Sequence, residues 1–342
     1  MHSGHRRWTL AVYGVGLLLT VVDLATGRHT SLVGTLLMCP LLAATRLNGR
    51  STALCAGYAL LAALAVAGYE QGPASLHSPD AQARLTVVAL AGGTAVVTAR
   101  RLTTVQHQLA AVAVSAQRAI LRPLTFSADG LWVCARSRSA APLAEIGGDL
   151  YAFAQTPAGL RLIIGDVRGK GLEAVRLSAA AIGHFRDQAY TAPDLATLTA
   201  RLDKCLAGDL GPEDFITAVL VEITPKRLTL ANCGHHAPLL LPAAGTPVLL
   251  EPAEPSTPLG LSPQPLLQQV PLTEADRVLF YTDGLVEARD RTGSMFALSD
   301  LTQPCSLPFL GDAVETVLHL VERRTEGRAG DDIALILIES SA

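Results

Sequence analysis

Residues 145–171 read Glu-Ile-Gly-Gly-Asp-Leu-Tyr-Ala-Phe-Ala-Gln-Thr-Pro-Ala-Gly-Leu-Arg-Leu-Ile-Ile-Gly-Asp-Val-Arg-Gly-Lys-Gly. Asp149 follows a glycine pair and starts an apolar-alternating run. Asp166 ends the strand-like run 160–164 and enters a glycine-rich turn, Gly165 to Gly171. A hairpin of this pattern brings both carboxylates to one end of a sheet. Hard divalent cations take oxygen ligands, and two carboxylates beside the exposed backbone carbonyl of a tight turn supply them. Taken alone, the stretch also suits a purely structural turn, since Asp at a strand end commonly caps it.

Three later segments bear on that choice: Asn232-Cys-Gly-His235, Tyr281-Thr-Asp-Gly-Leu-Val-Glu-Ala-Arg289 and Gly330-Asp-Asp-Ile333. In this order and spacing, together with the two aspartate motifs, they resemble the PPM-type metal-dependent Ser/Thr protein phosphatases, specifically the SpoIIE/RsbU branch. The resemblance covers roughly Leu121 to Glu339. It implies an αββα sandwich of two mainly antiparallel sheets flanked by helices, and a site for two divalent ions, Mn²⁺ or Mg²⁺.

The resemblance also implies roles. Asp149 and Asp166 would hold the bridged metal pair, the carbonyl of Val167 would add a ligand, and Asp283 and Asp331 would complete one shell. These four aspartates form the expected catalytic set. Asp331 and Asp332 are adjacent and so face opposite sides of a strand. The family motif points to the first as ligand, leaving Asp332 to hydrogen-bond behind it or cap the strand.

His235 either braces a water or phosphate or satisfies backbone groups in a turn. Lys170 and Arg168 flank the glycine turn, as attraction for a phosphoprotein or as solvated charge. Ala152 stands where the family often has Asp, and Arg168 where it usually has Ser. Neither replaces a metal ligand, so these departures bear on regulation or substrate contacts rather than catalysis.

The chain has 342 residues, room for about two domains. Of 27 basic and 30 acidic residues only ten fall in the first hundred positions, so the first third is built for a different solvent. A net charge of −3 without a basic run gives no support to nucleic-acid binding. Six cysteines without a CxxC indicate neither a disulfide framework nor a zinc site.

Four apolar stretches occupy residues 8–26, 31–45, 52–69 and 81–99. About 20 helical residues span a bilayer. The pattern predicts an all-α transmembrane bundle of four helices over residues 1–101, with the second stretch short and broken by Pro40 and the fourth carrying Arg84. A cleaved signal peptide or buried helices of a soluble domain are the other readings of such runs.

Arg6, Arg7, Arg46, Arg50, Arg100 and Arg101 place both termini and the second domain in the cytoplasm by the positive-inside rule; Arg28 and Arg84 run against it. Asp23, inside the first span, is either functional or close enough to an interface to reach water.

Residues 102–122 form a linker, with Leu102, Val105, Leu109, Val112, Ala116 and Ala119 on one helical face and Pro123 as its stop. The small residues at its end leave a homodimer through this helix open. Residues 123–342 then alternate short strands with helices expected at Leu172–Ala189, Leu195–Ala207 and Asp312–Arg323, an α+β layered arrangement. Pro242–Pro271 reads as a long surface flap.

The expected function is a multi-pass membrane phosphatase acting on a phosphorylated cytoplasmic regulatory protein, by family analogy an anti-sigma-factor antagonist. The alternative is a catalytically silent membrane adaptor that binds a phosphoprotein. The complete carboxylate set speaks against it.

Overall fold

A computed structural model describes residues 2–26, 33–71, 78–139, 147–326 and 330–341. Arg28, the connection around Ser75, the first two residues of the second apolar stretch and the Glu145-Ile146 start of the first motif lie outside the described residues. The chain divides into two compact units, Met1–Gln108 and Leu109–Ala342.

The first unit is helical. It contains α1 (His2–Thr26), a 3₁₀ turn (Val33–Leu37), α2 (Met38–Arg46), α3 (Gly49–Gln71) and the first part of α4 (Pro79–Ile120). Its interior is built from small residues, with Cys39, Ala43, Cys55, Ala59, Ala62 and Ala63 all buried. Its surface carries the large ones: Leu10, Leu17, Leu18, Leu54, Leu61 and Leu90 are each at least 60% exposed. In water such a surface is an aggregation liability.

The four-span expectation is met only in part. Among the described residues two helices are long and apolar enough to cross a bilayer, Gly49–Val66 and Ala81–Val105. Trp8–Asp23 and Thr35–Arg46 are shorter apolar helices, the second because a 3₁₀ turn rather than α-helix leads into it. Asp23 is 1% exposed within the unit and does not lie at its surface. The fourth apolar stretch and the linker residues up to Ile120 lie on one 42-residue helix, Pro79–Ile120. Nothing between Arg100 and Ile120 breaks a helix, and Pro123 stops it, since the residue before proline avoids the helical region.

The second unit holds two antiparallel sheets. One has the order β1 (Leu124–Ala128), β2 (Leu131–Arg138), β11 (Ile333–Ser340), β10 (Arg277–Tyr281), β7 (Leu239–Leu241), β8 (Val248–Leu249). The other runs β3 (Asp149–Thr156), β4 (Gly159–Val167), β5 (Ile216–Thr224), β6 (Arg227–Cys233), β9 (Gln268–Pro271).

Strand β11 shows how the layers form. Ala334, Ile336 and Ile338 enter the main core shared with the five-stranded sheet. Ile333, Leu335 and Leu337 face the opposite way, against Ala313, Val314, Val317, Leu318 and Val321 of α9 (Leu310–Thr325). A strand covered on both faces needs a continuous apolar run, and the sequence Ile-Ala-Leu-Ile-Leu-Ile provides it. Helices α5 (Leu172–Ala189) and α6 (Leu195–Leu206) cover the other sheet, burying Ala174, Leu177, Ala181 and Phe185 at three-to-four spacing.

The expected flap at Pro242–Pro271 contains β8 and β9, the latter pairing Val270 with Leu228 of β6. Its prolines hide the strand signal, and β9 exists because β6 offers an open edge. The edge strand β1 was not anticipated either, for it is mostly exposed and short.

Candidate functional site

Hairpin β3–β4 sets Asp149 directly opposite Asp166 in antiparallel register. Side chains opposite each other in such a pair share a face of the sheet. Gly148 permits this, because a Cβ there would sit 2.5 Å from the carbonyl oxygen of Val167. The turn is fastened by Val167 N–H donating to Gly148 O at 3.1 Å, and by Ser178 Oγ of α5 donating to the same oxygen at 2.8 Å. The Val167 carbonyl thus lies against the glycine pair that precedes Asp149.

Asp283 opens the short helix α7 (Asp283–Val286), immediately after β10, and Asp331 precedes β11. Both therefore stand at the end of the six-stranded sheet that meets Asp149. Thr282 makes the junction: its Oγ donates to Asp149 Oδ2 at 3.0 Å and accepts from Ala334 N at 2.9 Å. Gly284 has to be glycine, since a Cβ there would lie 2.0 Å from Asp332 O.

Charge defines the cluster. Asp149 is 3% exposed, and burial, then the charges of Asp166 and Asp332, hold its carboxyl well above the usual carboxylate range. Burial and then Asp283, Asp331 and Asp332 raise Asp166 to about 7, with Lys170 opposing them. Burial and Asp331 push Asp283 upward as well. Lys170 Nζ lies 2.9 Å from Asp331 Oδ2.

A group of buried and half-buried carboxylates repelling one another, with Lys170 against them, has the donor chemistry and excess negative charge that divalent cations neutralise. Among the described residues no three such side chains already close on a common point, so the carboxylates are gathered at one end of the sandwich without being drawn together.

Asp332 does not share the role of Asp331. It is 4% exposed, and its Oδ2 accepts from Gly147 N at 3.0 Å and from Gln117 Nε2 at 2.7 Å.

His235 takes the structural option. Burial and the neighbouring His236 lower its imidazole to about 3, so the ring is neutral. Nε2–H donates to Tyr281 O at 3.2 Å and Nδ1 accepts from Thr217 Oγ at 2.9 Å, which joins β5 to the end of β10. Asn232 closes the turn by accepting from His235 N and donating to His235 O.

Arg168 is held by the Glu213 carbonyl and lies over the Phe215 ring at 5.6 Å. Ala152 is buried in β3. A cavity of about 250 Å³ is lined by Gln117, Ser137, Ser139, Asp149 and Asp332. It lies beside the cluster, and Asp166, Asp283 and Asp331 do not line it.

Sequence reading missed Thr282 and Gln117. Thr282 carried a signal, its place beside Asp283. Gln117, in the run that ends the linker, carried no signal for this contact, being 215 positions from Asp332.

Residues 156–341 match the family model described as Stage II sporulation protein E (SpoIIE), more than half of the chain. The chain belongs to the SpoIIE family. The chain is 28% identical over 205 residues to the phosphoserine phosphatase RsbP of Bacillus subtilis (strain 168), covering 57% of this chain and 49% of RsbP. The chain thus spans about half the length of that curated relative.

Two solved structures share the fold. The RsbU and RsbW domains of Rv1364c from Mycobacterium tuberculosis align with a TM-score of 0.54 at 24% identity, over 64% of this chain and 62% of that one. The SiaA-PP2C domain of Pseudomonas aeruginosa aligns with a TM-score of 0.54 at 14% identity, over 70% and 97%. The SpoIIE domain here is therefore an α+β domain of the PP2C type with two antiparallel sheets.

Proposed function

We propose that this chain is a membrane-anchored, metal-dependent protein phosphatase that removes phosphate from phosphoserine or phosphothreonine of a cytoplasmic regulatory protein. The observation that carries the proposal is the Asp149–Asp166 register pair at one end of the sandwich, with Asp283 and Asp331 brought to the same end by the other sheet. The named activity of RsbP, a phosphoserine phosphatase, supports the reaction class. A regulator such as an anti-sigma-factor antagonist is the expected substrate by family analogy.

In this reading Asp149, Asp166, Asp283, Asp331 and the Val167 carbonyl hold two divalent ions, Mn²⁺ or Mg²⁺. Bound there, the ions supply Lewis-acid stabilisation of the transferring phosphoryl group and a nucleophile at neutral pH. The protein's own part is electrostatic and positional. Thr282 fixes one oxygen of Asp149, leaving the other for a ligand. Lys170 on Asp331 limits repulsion until an ion arrives, and then offers a cation to an approaching phosphate. His235, neutral and doubly bonded, ties β5 of one sheet to the end of β10 of the other beneath the site.

Membrane anchoring is supported by the apolar outer face and small-residue interior of the first unit and by its two long apolar helices. Arginine placement supports a cytoplasmic SpoIIE domain.

Phosphate release from phosphoserine-bearing regulator proteins by the full chain, with Mn²⁺ or with EDTA, tests the reaction. Metal-dependent release that Asp166→Asn and Asp283→Asn abolish is expected. A wild-type protein that binds phosphoproteins but releases no phosphate would be the silent adaptor, and near wild-type turnover in both variants would remove the assigned site.

A further inference from the structure

Gln117 lies near the end of α4, in the second unit, and is 5% exposed. Its carboxamide is fully engaged. Nε2 donates to Asp332 Oδ2 at 2.7 Å and to Gly147 O at 3.2 Å, and Oε1 accepts from Ser139 Oγ at 3.3 Å. The orientation of the amide is dictated by these partners, because a carboxylate and a carbonyl can only accept.

These contacts join the two segments that present carboxylates from different sheets. Gly147 leads through Gly148 into Asp149 on the five-stranded sheet. Asp332 follows Asp331 and leads into β11 of the six-stranded sheet. The two segments also meet directly, Gly147 N–H donating to the same Asp332 oxygen at 3.0 Å. Gln117 therefore closes a three-way junction whose geometry sets how far Asp149 stands from Asp331.

The residue type matters. A lysine or arginine here would add a cation and hold Asp332 by charge, but would leave Ser139 Oγ facing a second donor. A glutamate would set a carboxylate against a buried carboxylate. The neutral amide donates twice and accepts once without changing the charge of a cluster already strongly negative.

We propose that Gln117 is a positioning residue for the metal site: by holding Asp332 and Gly147 together it fixes the separation of Asp149 and Asp331, and so sets the affinity for divalent cations. The inference rests on the metal-dependent reading of the site given above. Side chains that support metal ligands from behind change affinity by ~10–100-fold when replaced, and the effect expected here lies in that range.

The test is Mn²⁺ titration of the full chain in detergent micelles, by calorimetry and by the electron paramagnetic resonance of free Mn²⁺, with melting in EDTA run alongside. Gln117→Met, which keeps volume and loses every hydrogen bond, should weaken Mn²⁺ binding ~10-fold or more. Gln117→Glu should weaken it further. Gln117→Glu combined with Asp332→Asn removes the carboxylate–carboxylate repulsion and restores one hydrogen bond across the contact, though not the two that involve Gly147, and should recover part of the affinity lost by Gln117→Glu. At saturating Mn²⁺, phosphate release by Gln117→Met should return to within a few-fold of wild type.

Wild-type Mn²⁺ affinity in Gln117→Met and Gln117→Glu, with or without a lower melting temperature, would overturn the proposal and leave Gln117 a packing residue. If Gln117→Met does not fold, the comparison of Gln117→Glu with its Asp332→Asn partner decides alone, and absence of recovery refutes the proposal. A wild-type protein that binds no Mn²⁺ would overturn the metal-dependent function and this inference together. Wild-type binding and turnover that Asp166→Asn abolishes, alongside unaffected Gln117 variants, would overturn this inference only.

Discussion

Replacing Asp166 with Asn should make the metal-free protein more stable at alkaline pH, although it removes a residue assigned to the active site. Burial and the charges of Asp283, Asp331 and Asp332 raise the folded-state pKa of Asp166 from 3.8 to about 7. The unfolded chain ionises this group near pH 3.8, while the folded protein keeps the proton until about 7. The stability linked to it is therefore fully present below 3.8, falls between 3.8 and 7, and stays lost above 7.

Three units at ~1.36 kcal/mol each come to about 4 kcal/mol. The solvent-facing edge of the site reduces that, so about 2–4 kcal/mol is expected. An amide cannot ionise. The advantage of Asp166→Asn over wild type in EDTA should thus grow from near zero at pH 4 to about 2–4 kcal/mol at pH 8. Saturating Mn²⁺ should shrink or reverse it, since an ion at 100 times its Kd stabilises the native wild type by about 2.7 kcal/mol and the variant has lost an anionic ligand.

Urea denaturation of the full chain in micelles, followed by fluorescence of Trp132 in a Trp8→Phe background, measures each case. An Asp166→Asn protein no more stable than wild type in EDTA at pH 8, or one whose advantage does not change with pH, would refute the electrostatic account of the site.

The same measurement checks three further expectations. His235, held to about 3 in the folded protein, takes no proton as pH falls below 6.5 while the unfolded chain does; between pH 7 and 5 wild type should lose about 2 kcal/mol more stability than His235→Gln. Arg161→Met should cost ~3–5 kcal/mol, because Arg161 is buried, paired with Glu222 at 2.7 Å and donating to the Ala189 and Ala192 carbonyls; adding Glu222→Met should recover part of the loss. Gly284→Ala forces a Cβ onto the Asp332 carbonyl, and should lower stability by about 3 kcal/mol or more and weaken Mn²⁺ binding through displacement of Asp283.

Much of the second unit is written locally. The run 333–338 is apolar on both faces because β11 lies between the main core and α9, and Arg277–Tyr281 and Leu172–Ala189 fall where their patterns put them. The carboxylates proposed for the site were singled out by motifs shared with a known family, and each stands beside a glycine, a local feature encoded next to the residue it positions. The first unit was less legible. Hydropathy marks apolar stretches but not whether they form one helix or a turn and a helix, so four expected spans became two long apolar helices and two shorter ones.

Register, edges and long-range hydrogen bonds needed the tertiary structure. Strand β9 forms because β6 has a free edge, and its proline-rich sequence says nothing of that. His235 was open between two roles until Thr217 and the Tyr281 carbonyl stood on either side of it. Gln117 meets Asp332 only once the end of α4 reaches the segment before β11. Side-chain type, local spacing and the family resemblance singled out the candidate groups, because strands, turns and caps are short-range choices of the backbone. Which carboxylate is supported, by what and how tightly, was decided by contacts between residues far apart in sequence, where no local pattern is imposed.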